Sequence, residues 1–122
     1  MADAKKMLYV VTSGTDRPEQ LYSPFVLGMT AVAMGMEATV YFLIKGVTVV
    51  KKGEAEKIKM GTFPKLSEMM EQAKKAGVKI MICEQSCRLL GISKGDFIEW
   101  GKIVGAATLN DMVIDADGVL CF

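Results

Sequence analysis

A short apolar run that ends in a cysteine constrains this chain more than any other stretch. Residues 78–82 read VKIMI, the pattern of a strand buried on both faces of a parallel sheet, and Cys83 follows directly. The next seven residues, 84–90, lack glycine and proline and predict a helix that ends at Gly91. Cys83 is therefore expected at the carboxyl end of a strand, where parallel α/β sheets bind ligands. A thiol that faces a helix N-terminus is activated as a nucleophile, because the helix dipole favours the thiolate. Such a nucleophile also needs partial exposure, and a buried, inert cysteine is the alternative for Cys83.

The rest of the chain alternates between strand-like and helix-like segments. Further strands are predicted at 7–11, 37–44, 102–104 and 119–122, and helices at 24–35, 64–77, 93–100 and 106–116. This order predicts one α/β domain over residues 1–122, with a single five-stranded parallel sheet between helices on both faces. The general architecture is flavodoxin-like.

Composition excludes several classes of function. The chain has no histidine, so Ser-His-Asp catalysis, Cys-His catalysis and His-ligated metals are ruled out. Its 15 basic and 14 acidic residues form no long block of either sign, which argues against a nucleic-acid partner. Cys83 and Cys87 supply too few soft ligands for a closed zinc site, so we expect neither a metal nor a cofactor.

Cysteine usage indicates the compartment. Three cysteines, an odd number, in a chain without a signal peptide indicate a reducing environment and thiol chemistry, so we expect a cytoplasmic protein. Cys87 lies four residues after Cys83, and it is either an auxiliary thiol on the same helix face or an ordinary core residue. Cys121 precedes the last residue in a terminal strand and is expected in the core. Arg88 offers Cys83 positive charge, whereas Glu84 acts in the opposite sense.

The apolar stretch from Leu21 to Ile44 is long enough to span a membrane. Pro24, Gly28, Gly35 and Glu37 divide it into a helix and a strand, so no membrane span is expected. The helical part is nearly free of polar residues, and residues 47–50 form another apolar run. Exposing both on a monomer would leave a large apolar patch, which predicts a homo-oligomer.

Two loops offer candidate ligand-binding groups. Residues 12–16, TSGTD, follow the first strand, and the backbone N–H groups around Ser13 and Gly14 could hold an anion; an ordinary turn is the favoured alternative. Lys45 and Gly46 follow the second strand, where a lysine could meet an anionic ligand. A solvated charge on a loop is the alternative there.

The segments GVKIMICEQSCRLLGI, IVGAATL and DADGVLCF resemble the DsrE/DsrF-like family of small sulfur-handling proteins, and the similarity extends from Met7 to Phe122. The resemblance implies that Cys83 receives sulfane sulfur, as a persulfide or a related group, and passes it to a partner protein. It also implies a homotrimer or hexamer, small anionic sulfur compounds as substrates and a small TusA-like sulfur carrier as partner. Cys87 departs from the family pattern, since many relatives have an apolar residue there.

Two functions therefore remain as hypotheses. The first is an intracellular sulfur carrier or sulfurtransferase in which Cys83 is the nucleophile and Ser13, Gly14, Lys45, Gly46 and Arg88 contact the substrate. The second is a non-catalytic oligomeric module that binds a small molecule or nucleotide at residues 12–16. A chromophore in the purified protein would favour the second.

Overall fold

The structure is a computed structural model that describes residues 4–122, and it contains one five-stranded sheet. The strands are β1 (Lys6–Val11), β2 (Glu37–Phe42), β3 (Lys79–Cys83), β4 (Lys102–Val104) and β5 (Gly118–Cys121). The α-helices are α1 (Ser23–Ala33), α2 (Leu66–Ala76), α3 (Glu84–Leu90) and α4 (Ala106–Asp115). All pairings are parallel and the strand order is β4-β3-β2-β1-β5. The predicted fold class is confirmed.

Side-chain alternation along the strands divides the apolar residues between two faces. Along β3, Ile80 and Ile82 join a large core on the face covered by α1 and α2. Met81 and Cys83 join a smaller cluster on the other face, against α4. Successive residues of a strand point to opposite faces, so the parity that buries the two isoleucines also places Cys83 in the smaller cluster.

Short 3₁₀ turns connect the main elements, and one of them corrects a prediction. The turn Ile44–Val50 follows β2 directly, and Val47, Val49 and Val50 within it are fully buried in the large core. The prediction that residues 47–50 contribute to an exposed apolar patch is therefore wrong. The run fits neither α-helical nor strand periodicity because it forms a 3₁₀ turn whose valines pack into the large core.

Helix α1 is buried on one face only, although its sequence is apolar all round. Phe25, Gly28 and Ala31 are buried, whereas Leu27 and Met34 are exposed. An unusually apolar outer face thus remains on this helix.

The two longest helices, α1 and α2, have 11 residues each. Across residues 4–122, no helix combines the length and the apolar character needed to cross a bilayer.

Candidate functional site

Cys83 is the last residue of β3 and the residue that caps the N-terminus of α3, as predicted. Its backbone angles, φ −71° and ψ 118°, are still those of a strand, and the helix begins at the next residue. The side chain, however, is only 3% exposed. The expected partial exposure is therefore wrong for the single chain, because the side chain points to the face that α4 covers and not outward from the edge of the sheet.

The surroundings of Cys83 are apolar, with one exception. It belongs to a cluster with Leu8, Val10 and Tyr41, which we call the Cys83 cluster. Leu109 and Met112 of α4 are among the partly buried residues that pack against it. No residue of α4 is itself buried, so the cover over the cluster is shallow.

Tyr41 is the polar member of the Cys83 cluster. Its side chain is fully buried, yet its hydroxyl has no hydrogen-bond partner among residues 4–122. Burial, followed by the neighbouring Cys83, raises the pKa of Tyr41 to about 12. The hydroxyl thus lies near the Cys83 side chain, which influences it electrostatically, although the two groups do not meet the geometry of a hydrogen bond in this structure.

Sequence reasoning missed Tyr41, although a signal was present. Tyr41 is paired in register with Met81, and Cys83 is the second residue after Met81 on the same face. A buried tyrosine ordinarily finds a partner for its hydroxyl. A tyrosine in the strand before the cysteine strand therefore identifies a candidate neighbour, but only once the register between the two strands is known.

Cys87 is a buried core thiol. It is 2% exposed, packs in the large core and donates a hydrogen bond from Sγ to the carbonyl oxygen of Cys83 at 3.2 Å. Burial first, then the nearby Cys83 and Glu84, raise the pKa of the Cys87 thiol. Of the two alternatives for Cys87, these features favour the core residue, because a raised pKa lowers the fraction of thiolate.

Arg88 lies on the exposed side of α3. Its Nε is 3.9 Å from Oε1 of Glu84, and the Arg88 side chain is 71% exposed. The two residues are one turn apart, so they form the exposed (i, i+4) pair that is common on helices. The positive charge of Arg88 is therefore directed at Glu84.

The candidate groups of the two loops lie close together in the structure. Lys45 pairs with Asp16 at 3.4 Å, and the backbone N–H of Thr15 donates to Oγ1 of Thr48 at 3.2 Å. Gly14 packs so closely against the Lys45 carbonyl oxygen that an added Cβ would lie 2.9 Å from it. Ser13 is buried beside Gly14.

A depression of about 530 Å³ lies at this end of the sheet. The residues that line it are Thr15, Asp16, Lys45, Thr48, Lys51, Glu54, Leu90 and Ile92. Cys83 does not line it. The predicted site residues therefore divide into two places, the Cys83 cluster under α4 and the loop cluster at the carboxyl edge.

A hydrogen bond connects the loop cluster to α3, the helix that follows Cys83. The backbone N–H of Ile44, directly before Lys45, donates to Oγ of Ser86 on α3 at 2.7 Å, and Ser86 is buried. Ile44 has φ +57°, a left-handed conformation that is unfavourable for a β-branched residue. The hydrogen bond from the Ile44 N–H to Ser86 stabilises this turn and fixes α3 against the end of β2.

Cys121 is exposed, so its predicted place in the core is wrong. It lies in β5, which pairs with β1 and is the last strand at one edge of the sheet formed by residues 4–122. The strands on the other side of β1, namely β2 and β3, are largely buried. In β5, by contrast, Val119 and Leu120 are exposed like Cys121. The apolar sequence of β5 is that of a buried strand, but the helices do not extend over it.

Comparison with known proteins places the chain in a family. The model of the DsrE/DsrF-like family matches residues 5–122. The protein MJ0760 of Methanocaldococcus jannaschii is 31% identical over 103 residues, which is 84% of this chain but 38% of MJ0760, so the chain spans well under half of that relative. The sulfur carrier protein DsrE2 of Allochromatium vinosum is 23% identical over 155 aligned positions, covering 94% of this chain and 96% of DsrE2.

Comparison with solved structures shows that this fold has been seen before. The crystal structure of the ychN protein from E. coli superposes with a TM-score of 0.79, covers 97% of this chain and 99% of ychN, and has 21% sequence identity. At that identity the likeness concerns the fold alone. Because the family model spans nearly the whole sequence, the chain belongs to the DsrE/DsrF-like family.

Proposed function

We propose that this protein is a sulfur carrier that accepts sulfane sulfur on Cys83 and transfers it to a partner protein. The observation that carries the proposal is the position of Cys83, a thiol that ends β3 and begins α3 beside a buried tyrosine hydroxyl. Membership of the DsrE/DsrF-like family and the relative named as a sulfur carrier support it. Sulfur transfer between thiols needs a thiolate but no histidine base, which suits a chain without histidine.

The loading step is a thiol exchange without net oxidation. The Cys83 thiolate attacks the outer sulfur of a donor persulfide, R–S–SH, and a new S–S bond forms. The S–S bond of the donor breaks, and its electron pair leaves with the R–S⁻ group, which takes the proton from the new persulfide. The products are the persulfide anion of Cys83 and the thiol R–SH. Unloading repeats the same step with a thiolate of the partner as the attacking group.

Burial of Cys83 requires that its cover move before a donor reaches it. The cover is α4, in which every residue keeps some exposure and from which Leu109 and Met112 contact the cluster. A helix with so little buried surface opens at low free-energy cost relative to the core. We propose that displacement of α4 admits the donor.

Exposed apolar side chains on α3 and α4 support the proposal of a homo-oligomer, a trimer or hexamer. Leu89 on α3 is 71% exposed and Ile114 on α4 is 85% exposed, and Val113 beside Ile114 is exposed as well. Large apolar side chains at such exposure are typical of surfaces that bind another protein. A small TusA-like carrier is the proposed sulfur acceptor, and small anionic sulfur compounds are proposed donors.

The alternative function, binding of a small molecule at residues 12–16, has weaker support. Two backbone N–H groups of this loop are already used: Thr12 donates to the carbonyl oxygen of Phe122 at 2.7 Å and Thr15 donates to Thr48. The Lys45 side chain is paired with Asp16. An anion bound by the N–H groups of Thr12 and Thr15 or by the Lys45 side chain would compete with these bonds.

Mass spectrometry of the intact protein tests the proposal. Incubation with inorganic polysulfide is expected to add sulfur atoms that map to the peptide containing Cys83 and that a reductant removes. Cys83→Ser is expected to abolish this adduct, whereas the matched variant Cys87→Ser is expected to keep it. Equal loading of the Cys83→Ser protein and the wild type would refute the proposal. A chromophore in the purified protein would then favour the binding module.

A further inference from the structure

We propose that the hydroxyl of Tyr41 is the group that positions and stabilises the reactive sulfur of Cys83, first as thiolate and then as persulfide. This inference rests on the proposed function and assigns a role to a residue outside the family motif quoted above. Tyr41 acts by donating one hydrogen bond and exchanges no proton with the sulfur. It is therefore a positioning residue for the sulfur-transfer step.

The geometry places the hydroxyl where a sulfur ligand would need it. Tyr41 and Cys83 lie on adjacent paired strands and on the same face, two residues apart in register. The remaining buried members of the cluster, Leu8 and Val10, have no polar side-chain atoms. The tyrosine hydroxyl is thus the polar side-chain group that the buried part of the cluster offers to a charged sulfur.

The hydroxyl is also unpartnered, which is costly in the resting protein. A buried hydroxyl without a hydrogen bond loses its interactions with water and gains none in return. Among residues 4–122, the Tyr41 hydroxyl oxygen is a buried side-chain atom without a hydrogen-bond partner. A negatively charged sulfur on Cys83 would accept the missing hydrogen bond, so the cost would be recovered in the reactive and loaded states.

The protonation state of Tyr41 suits this role. Its pKa of about 12 keeps the phenol neutral, and therefore a donor, throughout the physiological range. Hydrogen bonds to charged acceptors are stronger than those between neutral groups. The interaction is consequently stronger with the thiolate or persulfide anion than with the resting thiol, which is the condition for accelerating the step.

Tyr9 provides a matched control for removing a hydroxyl. It is also a buried tyrosine in the sheet, on β1, but it faces the large core and donates a hydrogen bond to the carbonyl oxygen of Leu27 at 3.2 Å. Tyr9→Phe deletes a satisfied hydroxyl and is expected to lower stability. Tyr41→Phe deletes an unsatisfied one and is expected to leave stability unchanged or raise it.

The experiment compares three proteins during loading with inorganic polysulfide. Tyr41→Phe is expected to form the Cys83 persulfide about tenfold more slowly than the wild type, the loss expected for one hydrogen bond to a charged group. Tyr9→Phe is expected to load at the wild-type rate. In the wild type, loading is expected to change the near-ultraviolet absorption of tyrosine, and this change should persist in Tyr9→Phe and vanish in Tyr41→Phe.

The outcomes separate this inference from the proposed function. If the wild type loads on Cys83 but Tyr41→Phe loads equally fast, with no change in tyrosine absorption of the wild type, the role of Tyr41 is refuted and the sulfur carrier stands. If Cys83→Ser loads like the wild type, the proposed function fails, and the role of Tyr41 fails with it. The spectrum of the wild type needs no variant, so the test holds even if Tyr41→Phe does not fold.

Discussion

Substitution of Gly46 by alanine is expected to destabilise the fold severely. The backbone of Gly46 passes directly beneath the end of β1, and an added Cβ would overlap the carbonyl oxygen of Val11 and lie 2.9 Å from its carbonyl carbon. Both atoms belong to the backbone of a strand that pairs on both sides, with β2 and β5, so neither can move without disturbing the sheet. Close backbone packing thus requires a glycine at position 46, whereas the sequence had suggested that Gly46 contacts a ligand.

The magnitude follows from the kind of contact. Inserting atoms into a well-packed interior costs about 1–3 kcal/mol, and more when the obstacle is backbone, so we expect a loss of roughly 3 kcal/mol or more. A domain of this size has about 5–15 kcal/mol of stability in total. At roughly 4 °C per kcal/mol, the melting temperature should fall by about 12 °C.

Urea unfolding followed by circular dichroism measures the effect. The control is Gly95→Ala: an added Cβ at Gly95 meets no atom within 4 Å, and its φ is not left-handed. The control should lie within about 0.5 kcal/mol of the wild type. A Gly46→Ala protein as stable as the control would refute the reasoning. If that variant were stable but failed to load sulfur, Gly46 would be a ligand contact instead.

Three further predictions concern the two parts of the site. Ser86→Ala removes the acceptor for the Ile44 N–H, bonded at 2.7 Å, and should destabilise the protein by about 1–2 kcal/mol in urea unfolding; an unchanged midpoint would contradict the role of this bond. Cys121, exposed on β5, should react with iodoacetamide faster than buried Cys83, as peptide mapping after short exposure will show; the reverse order would mean that Cys83 is open or Cys121 covered in solution. Burial raises the pKa of Tyr41 from 10.0 to about 12, so ionisation of Tyr41 does not affect stability below pH 10, and from pH 10 towards 12 the folded state loses stability relative to the unfolded chain, in which tyrosine ionises more readily. Urea midpoints between these values should fall less steeply in Tyr41→Phe, and parallel slopes would exclude a buried neutral phenol.

Local patterns were sufficient to predict the order of the elements and the place of Cys83. A run such as residues 78–82 becomes a strand and the following residues a helix for reasons contained within the segment itself. The strand-to-helix junction at Cys83 therefore agrees with the structure to the residue. The end of β2 was predicted two residues too late, because the left-handed conformation of Ile44 begins the turn early and a β-branched residue gives no signal for it.

Burial and side-chain neighbours were not predictable in the same way, because they depend on elements distant in sequence. Cys121 and the valines of the turn Ile44–Val50 both belong to apolar runs, yet Cys121 is exposed and the valines are buried. What decides between them is which helix extends over which strand. The proximity of Tyr41 and Cys83 likewise depends on the register between β2 and β3, which the residues of neither strand determine alone.

Two departures from local rules occur at the carboxyl end of β2, and their position is informative. Tyr41 buries a hydroxyl without a partner, and Ile44, three residues later, holds a left-handed backbone conformation. Each lowers the stability of the resting fold, and each contacts the segment that begins at Cys83: Tyr41 lies beside the cysteine itself, and Ile44 is bonded to Ser86 on α3. Such costs persist where the surrounding structure enforces them, and they concentrate at functional sites. Their convergence on α3 and Cys83 is therefore a reason, independent of any family resemblance, to locate the functional site there.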